Sequence, residues 1–444
     1  HPDYGFVEIW EELGEPGCFL VDLAPVVDRG ILIIAEPQYV EALVNPMEQF
    51  KYSLPKSNNY VPLKPVLGAE SIISKDGPAW RALRSRFNPA FQPRYIHSLT
   101  ESIVSRVDIF TKRLQSLARS GATFKMADYA QDLTTDIITQ FTIARDFNAQ
   151  STPEGTGDKS SLGILTLSRR LSNMIIDIGH GFGLHMIDPI RPLKLFFYET
   201  VFDHKLTAMV KECISSIEDP EPKSIMKLAV SGLSPNKALI RSCVHQVKSF
   251  LFAGQDTTAT LIQWMCYEMS KSSHSSHHAA ILSRLRAEHD TVFGPSPFSA
   301  LQTLSSPVTA ESESILTLKL PYTMAFIKET LRLHPPAATI RTVPWDSTDL
   351  SLPLPTGPVS IAGLEVYPSL HLIQRNRNVW GPDAHIFNPD RWLDEAYIAG
   401  LPAGAYRPFE RGPRNCIGQE LATLESTVVL VAIARGFVFE KVGL

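Results

Sequence analysis

Cysteine is scarce in this 444-residue sequence: Cys18, Cys213, Cys243, Cys266 and Cys416 are odd in number and widely spaced. Such a set builds no disulfide framework and suits a reducing compartment. Long apolar runs are also lacking, since none reaches the roughly 18 to 20 residues that a helix needs to cross a bilayer. Neither sign of charge prevails. The 42 basic and 46 acidic residues leave a net charge of −4, so nothing draws the chain to nucleic acid in general, and an electrostatic partner would have to recognise a local patch. The first residue is His1 rather than Met, helix-like sequence begins by Gly5, and a strand-like Phe437–Glu440 lies close to Leu444. The expectation is therefore of an N-terminal anchor and some C-terminal sequence beyond these residues.

What is present is an ordinary globular composition, 44% hydrophobic and 20% charged, in a chain long enough to bury a large core. Helical periodicity dominates, which predicts a mainly α fold with small β-sheets. Cys18–Leu23 and Ile31–Ala35 are predicted as strands, followed by a helix with Pro37 in its first turn. Ala337–Arg341, Val359–Ile361 and Leu364–Val366 are further short strands.

The densest chemistry lies in Phe409-Glu-Arg-Gly-Pro-Arg-Asn-Cys416-Ile-Gly418. Arg414 and the helix predicted to open at Ile417 would both stabilise a thiolate, the form of cysteine that binds metal. Gly412 and Gly418 would let the backbone turn tightly against a flat partner. A lone cysteine is more often a small buried hydrophobe; it is the neighbours that favour a ligand.

A helix predicted from about Asn236 to Lys271 contradicts its own propensity at Ala253-Gly254-Gln-Asp256-Thr257-Thr258. A Gly costing about 1 kcal/mol and two β-branched residues sit in its middle, and such rule-breaking tends to mark function. The Thr257 hydroxyl can bond the Ala253 carbonyl one turn back, and Gly254 would allow a flat ligand to approach. Asp256 beside Thr257 places an acid next to an alcohol, the minimum for relaying protons.

Three other stretches matter. Trp80 and Arg84 lie four apart and can clamp a carboxylate or form a surface cation–π pair. Glu329 and Arg332 share a face of a helix opened by Pro321 and ended by Pro335, although an exposed pair of this kind is worth only about 0 to 1 kcal/mol. The apolar tract Asn173–Pro189 suits a core, a membrane-dipping surface or a lid.

Together these stretches resemble the cytochrome P450 superfamily. Its F-x-x-G-x-R-x-C-x-G signature falls on Phe409, Gly412, Arg414, Cys416 and Gly418, and its A-G-x-D-T-T on Ala253 to Thr258. E-x-x-R falls on Glu329 and Arg332, with the P-x-R-aromatic box at Pro389-Asp-Arg391-Trp392, and W-x-x-x-R on Trp80 and Arg84. The wording is most similar to eukaryotic, fungal, microsomal members.

The resemblance implies one catalytic domain over residues 1–444, with haem b between the long helix and the helix after the cysteine loop. Cys416 would ligate the iron, and Trp80, Arg84, Arg341 and Arg414 would meet the propionates. Phe409, Ala253, Gly254 and Gly418 would pack against the cofactor. Asp256 and Thr257 would be catalytic, and Glu329, Arg332 and Arg391 would brace the loop. The implied activity is a monooxygenase that takes O2, a hydrophobic small molecule and electrons from NADPH through a flavoprotein reductase. Val61–Ile73, Met174–Phe197, Phe250–Ala253 and Ala337–Ile340 would contact substrate. Arg81, Arg86, Arg407 and Arg411 would form a basic patch toward the reductase or simply a solvated surface. The implied setting is a monomer on the cytoplasmic face of the endoplasmic reticulum membrane, in secondary metabolism, with no nucleic-acid partner. Two other readings are a family member that isomerises, dehydrates or rearranges a peroxide, which the intact Asp256-Thr257 pair disfavours, and a haem-binding protein without catalysis, which would not need the long substrate-lining segments.

Overall fold

The computed structural model describes residues 2–22, 28–151, 163–176, 189–215, 224–305 and 310–443. Most of the apolar Asn173–Pro189 tract and most of the polar loop after Phe147 lie outside the described residues. The chain divides into two compact units, His1–Asn58 with Thr260–Leu444, and Asn59–Ala259.

The first unit holds the sheets. Strands β1 (Cys18–Val21) and β2 (Ile31–Ile34) pair antiparallel, with Cys18 opposite Ile34. The next strands in the chain are β3 (Arg341–Thr342), β4 (Ser351–Leu354), β5 (Gly357–Ser360) and β6 (Glu365–Pro368). β6 joins β2 in parallel and takes β3 antiparallel on its other edge, which gives the order β1-β2-β6-β3, while β4 and β5 form a separate hairpin. A fully apolar β2 explains why it is internal: Ile33 and Ile34 are inaccessible, as befits a strand covered on both faces. Pro37 opens the helix Pro37–Val44, whose Val40 and Leu43 pack with Leu32, Ile34, Leu352 and Val366.

Two strand predictions need correction. Ala337–Arg341 shrinks to a two-residue β3, because the backbone before it is used by another segment: the Ser57 N–H donates to the Ile340 carbonyl at 3.3 Å. Phe437–Glu440 is no strand. The Phe437 N–H closes the preceding helix on the Ile433 carbonyl (3.2 Å), and the Arg286 guanidinium donates to the Phe437 carbonyl (3.0 Å), so these backbone groups are already paired.

In the second unit the helices Gly77–Phe87, Thr100–Ser120, Met126–Ile143 and Arg191–Ser215 accompany the helix Lys237–Ser270, inside which the division between units falls. That helix runs 34 residues without interruption, through the Gly and both Thr. The space left by Gly254 explains its residue type. A Cβ there would come within 2.6 Å of Ile138 Cδ1 on Met126–Ile143. The glycine thus permits close helix packing at this point.

Candidate active site

Cys416 sits in a loop shaped by backbone bonds and one obligatory glycine. The Cys416 N–H donates to the Phe409 carbonyl at 2.8 Å, and Asn415 N–H to the Gly412 carbonyl at 3.2 Å. Gly412 has φ +74°, and a Cβ on it would lie 2.5 Å from the Val44 carbonyl oxygen. Its tight turn is therefore made against the end of the helix Pro37–Val44. Gly418 has ordinary negative φ and caps the helix Gln419–Ile433, which begins two residues later than Ile417; a Cβ on it would stand 3.9 Å from the Cys416 sulfur. Cys416 is exposed and just ahead of a helix N-terminus. The other cysteines are more enclosed, and burial pushes the thiols of Cys18, Cys213, Cys243 and Cys266 up, Cys243 to about 11. Of the five, Cys416 alone has the exposure and setting of a thiolate ligand.

Behind the loop stands a buried polar knot. Glu329 and Arg332 are inaccessible and meet in a fork, Nη2 to Oε1 at 2.7 Å and Nε to Oε2 at 2.8 Å. Glu329 also accepts from Arg391 Nε (3.1 Å), the Asn388 N–H (2.8 Å) and Trp392 Nε1 (2.9 Å). Arg332 donates onward to the carbonyls of Gln374 (2.7 Å) and Ala384 (2.6 Å). The Gln374 side chain then accepts the Arg407 N–H at 3.0 Å, two residues before Phe409. The brace implied by the motifs is thus present, and far from the weak surface pair that spacing alone would give.

Arg407 itself corrects the basic-patch expectation. It is 1% exposed and paired with Glu41 and Glu410 at 3.2 and 2.7 Å, so it presents no charge to a partner. Arg411 and, in the other unit, Arg81 and Arg86 remain exposed. Arg341 is buried in β3, with Nη1 3.4 Å from the Leu54 carbonyl. Arg414 is half-buried.

In the second unit, Trp80 and Arg84 lie on Gly77–Phe87; Trp80 is buried, and Arg84 Nε donates to Asn88 Oδ1 at 2.9 Å. On the long helix, Thr257 Oγ1 donates to the Ala253 carbonyl at 2.8 Å, the bond its position predicts. Asp256 retains accessible surface, yet enough protein surrounds it that burial raises its carboxyl pKa, with a hydrogen bond from Gln131 acting in the opposite sense. Thr134 Oγ1 donates to the Gln255 carbonyl at 2.9 Å. Gln131 and Thr134 belong to Met126–Ile143 and carry no motif, so nothing in the sequence pointed to them.

Glu268 was missed as well. Its buried carboxylate accepts from Lys271 Nζ (2.9 Å to each oxygen) and lies 3.1 and 2.8 Å from His278 Nε2 and His334 Nε2. Burial alone would raise its pKa; these bonds reverse that and hold it well below the usual carboxylate range. The His334 ring stacks on Trp264 at 3.8 Å. This cluster secures the end of the Glu329 helix, and the available signal was His334 standing between that helix and Pro335.

The chain is similar to known proteins in both sequence and fold. The cytochrome P450 family matches residues 25–443. The cytochrome P450 monooxygenase acrF of Aspergillus aculeatus is 28% identical, over 95% of this chain and 84% of its own length. The cytochrome P450 monooxygenase polC of Polytolypa hystricis is 30% identical, over 84% of this chain and 66% of its own. Among solved structures, a cytochrome P450 (CYP102L1) superposes with TM-score 0.77 at 19% identity, over 99% of this chain and 92% of that one, a likeness of fold.

Proposed function

From the premise that this chain belongs to the cytochrome P450 family, and is a haem-dependent monooxygenase, we propose how its residues divide the work. Cys416 supplies the thiolate that ligates the haem iron, and Arg341, Arg414, Trp80 and Arg84 take the propionates. Bound haem provides the reduction and activation of dioxygen, with the thiolate's electron donation favouring O–O cleavage. Asp256 and Thr257 then form the proton-delivery pair.

The observation that carries this assignment is the Thr257 hydroxyl beside Asp256, which already spends its proton on the Ala253 carbonyl. That leaves the Thr257 oxygen lone pairs as acceptors, next to a carboxyl that can relay protons. Gln131 holds the carboxyl in place. The substrate we propose is a hydrophobic small molecule, contacted by Val61–Ile73, Met174–Phe197, Phe250–Ala253 and Ala337–Ile340. Electrons come from NADPH through a flavoprotein reductase, and the setting we propose is secondary metabolism.

No helix among the described residues is long and apolar enough to cross a membrane. Leu193, Phe196 and Phe197 are 66, 69 and 49% exposed near the start of Arg191–Ser215, which supports contact of this helix with the surface of the endoplasmic reticulum membrane.

Replacing Asp256 by Asn and Thr257 by Ala in the haem-loaded enzyme tests the pair. NADPH consumption should continue while product per NADPH falls, toward the roughly 10²-fold loss of a removed general acid, and hydrogen peroxide rises. Unchanged product yield in both variants would remove the pair from the mechanism.

A further inference from the structure

The Val61–Ile73 stretch looks irregular in sequence, yet within the second unit its later half is held by three side chains of the long helix. The short helix Lys64–Leu67 ends at Gly68, which has φ +77° and where a Cβ would lie 2.6 Å from the His245 carbonyl oxygen. Ser249 Oγ donates to the Leu67 carbonyl at 2.5 Å. His245 Nδ1 accepts the Glu70 N–H at 3.0 Å. The Gln246 carboxamide spans two backbone groups: Oε1 accepts the Ile72 N–H at 2.8 Å, and Nε2 donates to the Glu70 carbonyl at 2.9 Å.

Gln246 and Ser249 are inaccessible, and so is Ser71 in the turn they hold. The turn has an internal knot of its own, since Ser74 Oγ donates to the Gly68 carbonyl at 2.8 Å. These side chains grip backbone only, so they fix the course of residues 67–72 whatever side chains those residues present. Without the carboxamide, the buried Ile72 N–H and the partly buried Glu70 carbonyl lose their partners together, and the buried group is costly to leave unpaired.

We infer that Gln246 is a positioning residue for ligand selectivity. It holds the 67–74 turn at one distance from the long helix and so sets how bulky a molecule can lie beside it. The inference rests on the proposed function, which places this segment against the substrate.

The test uses haem-loaded wild type, Gln246→Met, which keeps length and loses both bonds, and the milder Ser249→Ala, which loses only the Leu67 contact. Amide hydrogen exchange is followed across 67–74, and imidazole and progressively bulkier N-substituted imidazoles are titrated by the haem absorption band. In Gln246→Met, exchange at 67–74 should accelerate by about 10- to 100-fold, the effect of leaving buried groups unpaired, while exchange at 253–258 stays as in wild type. The ratio of bulky-ligand to imidazole affinity should move by at least about 5-fold, with a smaller shift in the same direction for Ser249→Ala. Unchanged exchange, or faster exchange with an unchanged affinity ratio, overturns the positioning role. If no imidazole perturbs wild-type haem, the reading beneath the inference fails, and the inference with it.

Discussion

Glu329 and Glu425 are both buried carboxyl groups of the first unit, on the helices before and after the cysteine loop, and they are built in opposite ways. Around Glu329 every nearby donor converges: two guanidinium groups, an indole N–H and a backbone N–H. Around Glu425 no such convergence occurs. It is 3% exposed, its Oε1 has no hydrogen-bond partner, and burial pushes its pKa well above the ordinary carboxylate range. The first arrangement uses its donors to fix a loop; the second favours the protonated form of the group. Burial by itself therefore says little about what a carboxyl does. Its donors decide.

The largest effect should come from Glu329→Ala. It would strand two buried guanidinium groups, and breaking such a buried pair typically costs about 3 to 5 kcal/mol, a large share of a stability of roughly 5 to 15 kcal/mol. Thermal unfolding and haem content would both report it, with little stable haem-loaded protein expected. A variant with wild-type melting and haem content would show that the knot does not brace the loop.

Glu425→Gln should do far less, and its effect should depend on pH. Because the folded pKa is raised, the native protein keeps a proton that the unfolded chain releases above about pH 4.3. Glu425 therefore costs nothing below that value, and stability falls as pH rises toward the folded pKa, at up to about 1.4 kcal/mol per pH unit. Denaturant titrations from pH 5 to pH 8 should show a shallower decline in Glu425→Gln than in wild type. Identical slopes would mean that Glu425 is not held neutral.

The same contrast explains what the sequence allowed one to see. Glu329 was legible because its partner is three residues away and the P-x-R-aromatic box marks Arg391 and Trp392. Glu425, inside Leu424-Glu-Ser-Thr-Val428, carries no mark, since nothing local tells a buried acid from a solvated one. Gly254 was legible as an anomaly, but its packing against Ile138 was not, because Ile138 lies 116 residues earlier in the chain and only the fold brings its side chain to that spot. Arg407 was misjudged for the same reason: its partner Glu41 is 366 residues away. The β2–β6 pairing joins residues 31–34 to 365–368, a contact that strand propensity cannot assign. Chemistry carried in contiguous motifs was readable, and chemistry made by distant packing was not.

The central claim is that Cys416 supplies a thiolate to haem iron. Its most direct test is the absorption spectrum of the reduced protein under carbon monoxide, for wild type and Cys416→Ala. Wild type should show the strongly red-shifted Soret band of thiolate-bound iron, and the variant should lose it. A wild-type spectrum without that band, or a variant that keeps it, would exclude Cys416 as the ligand.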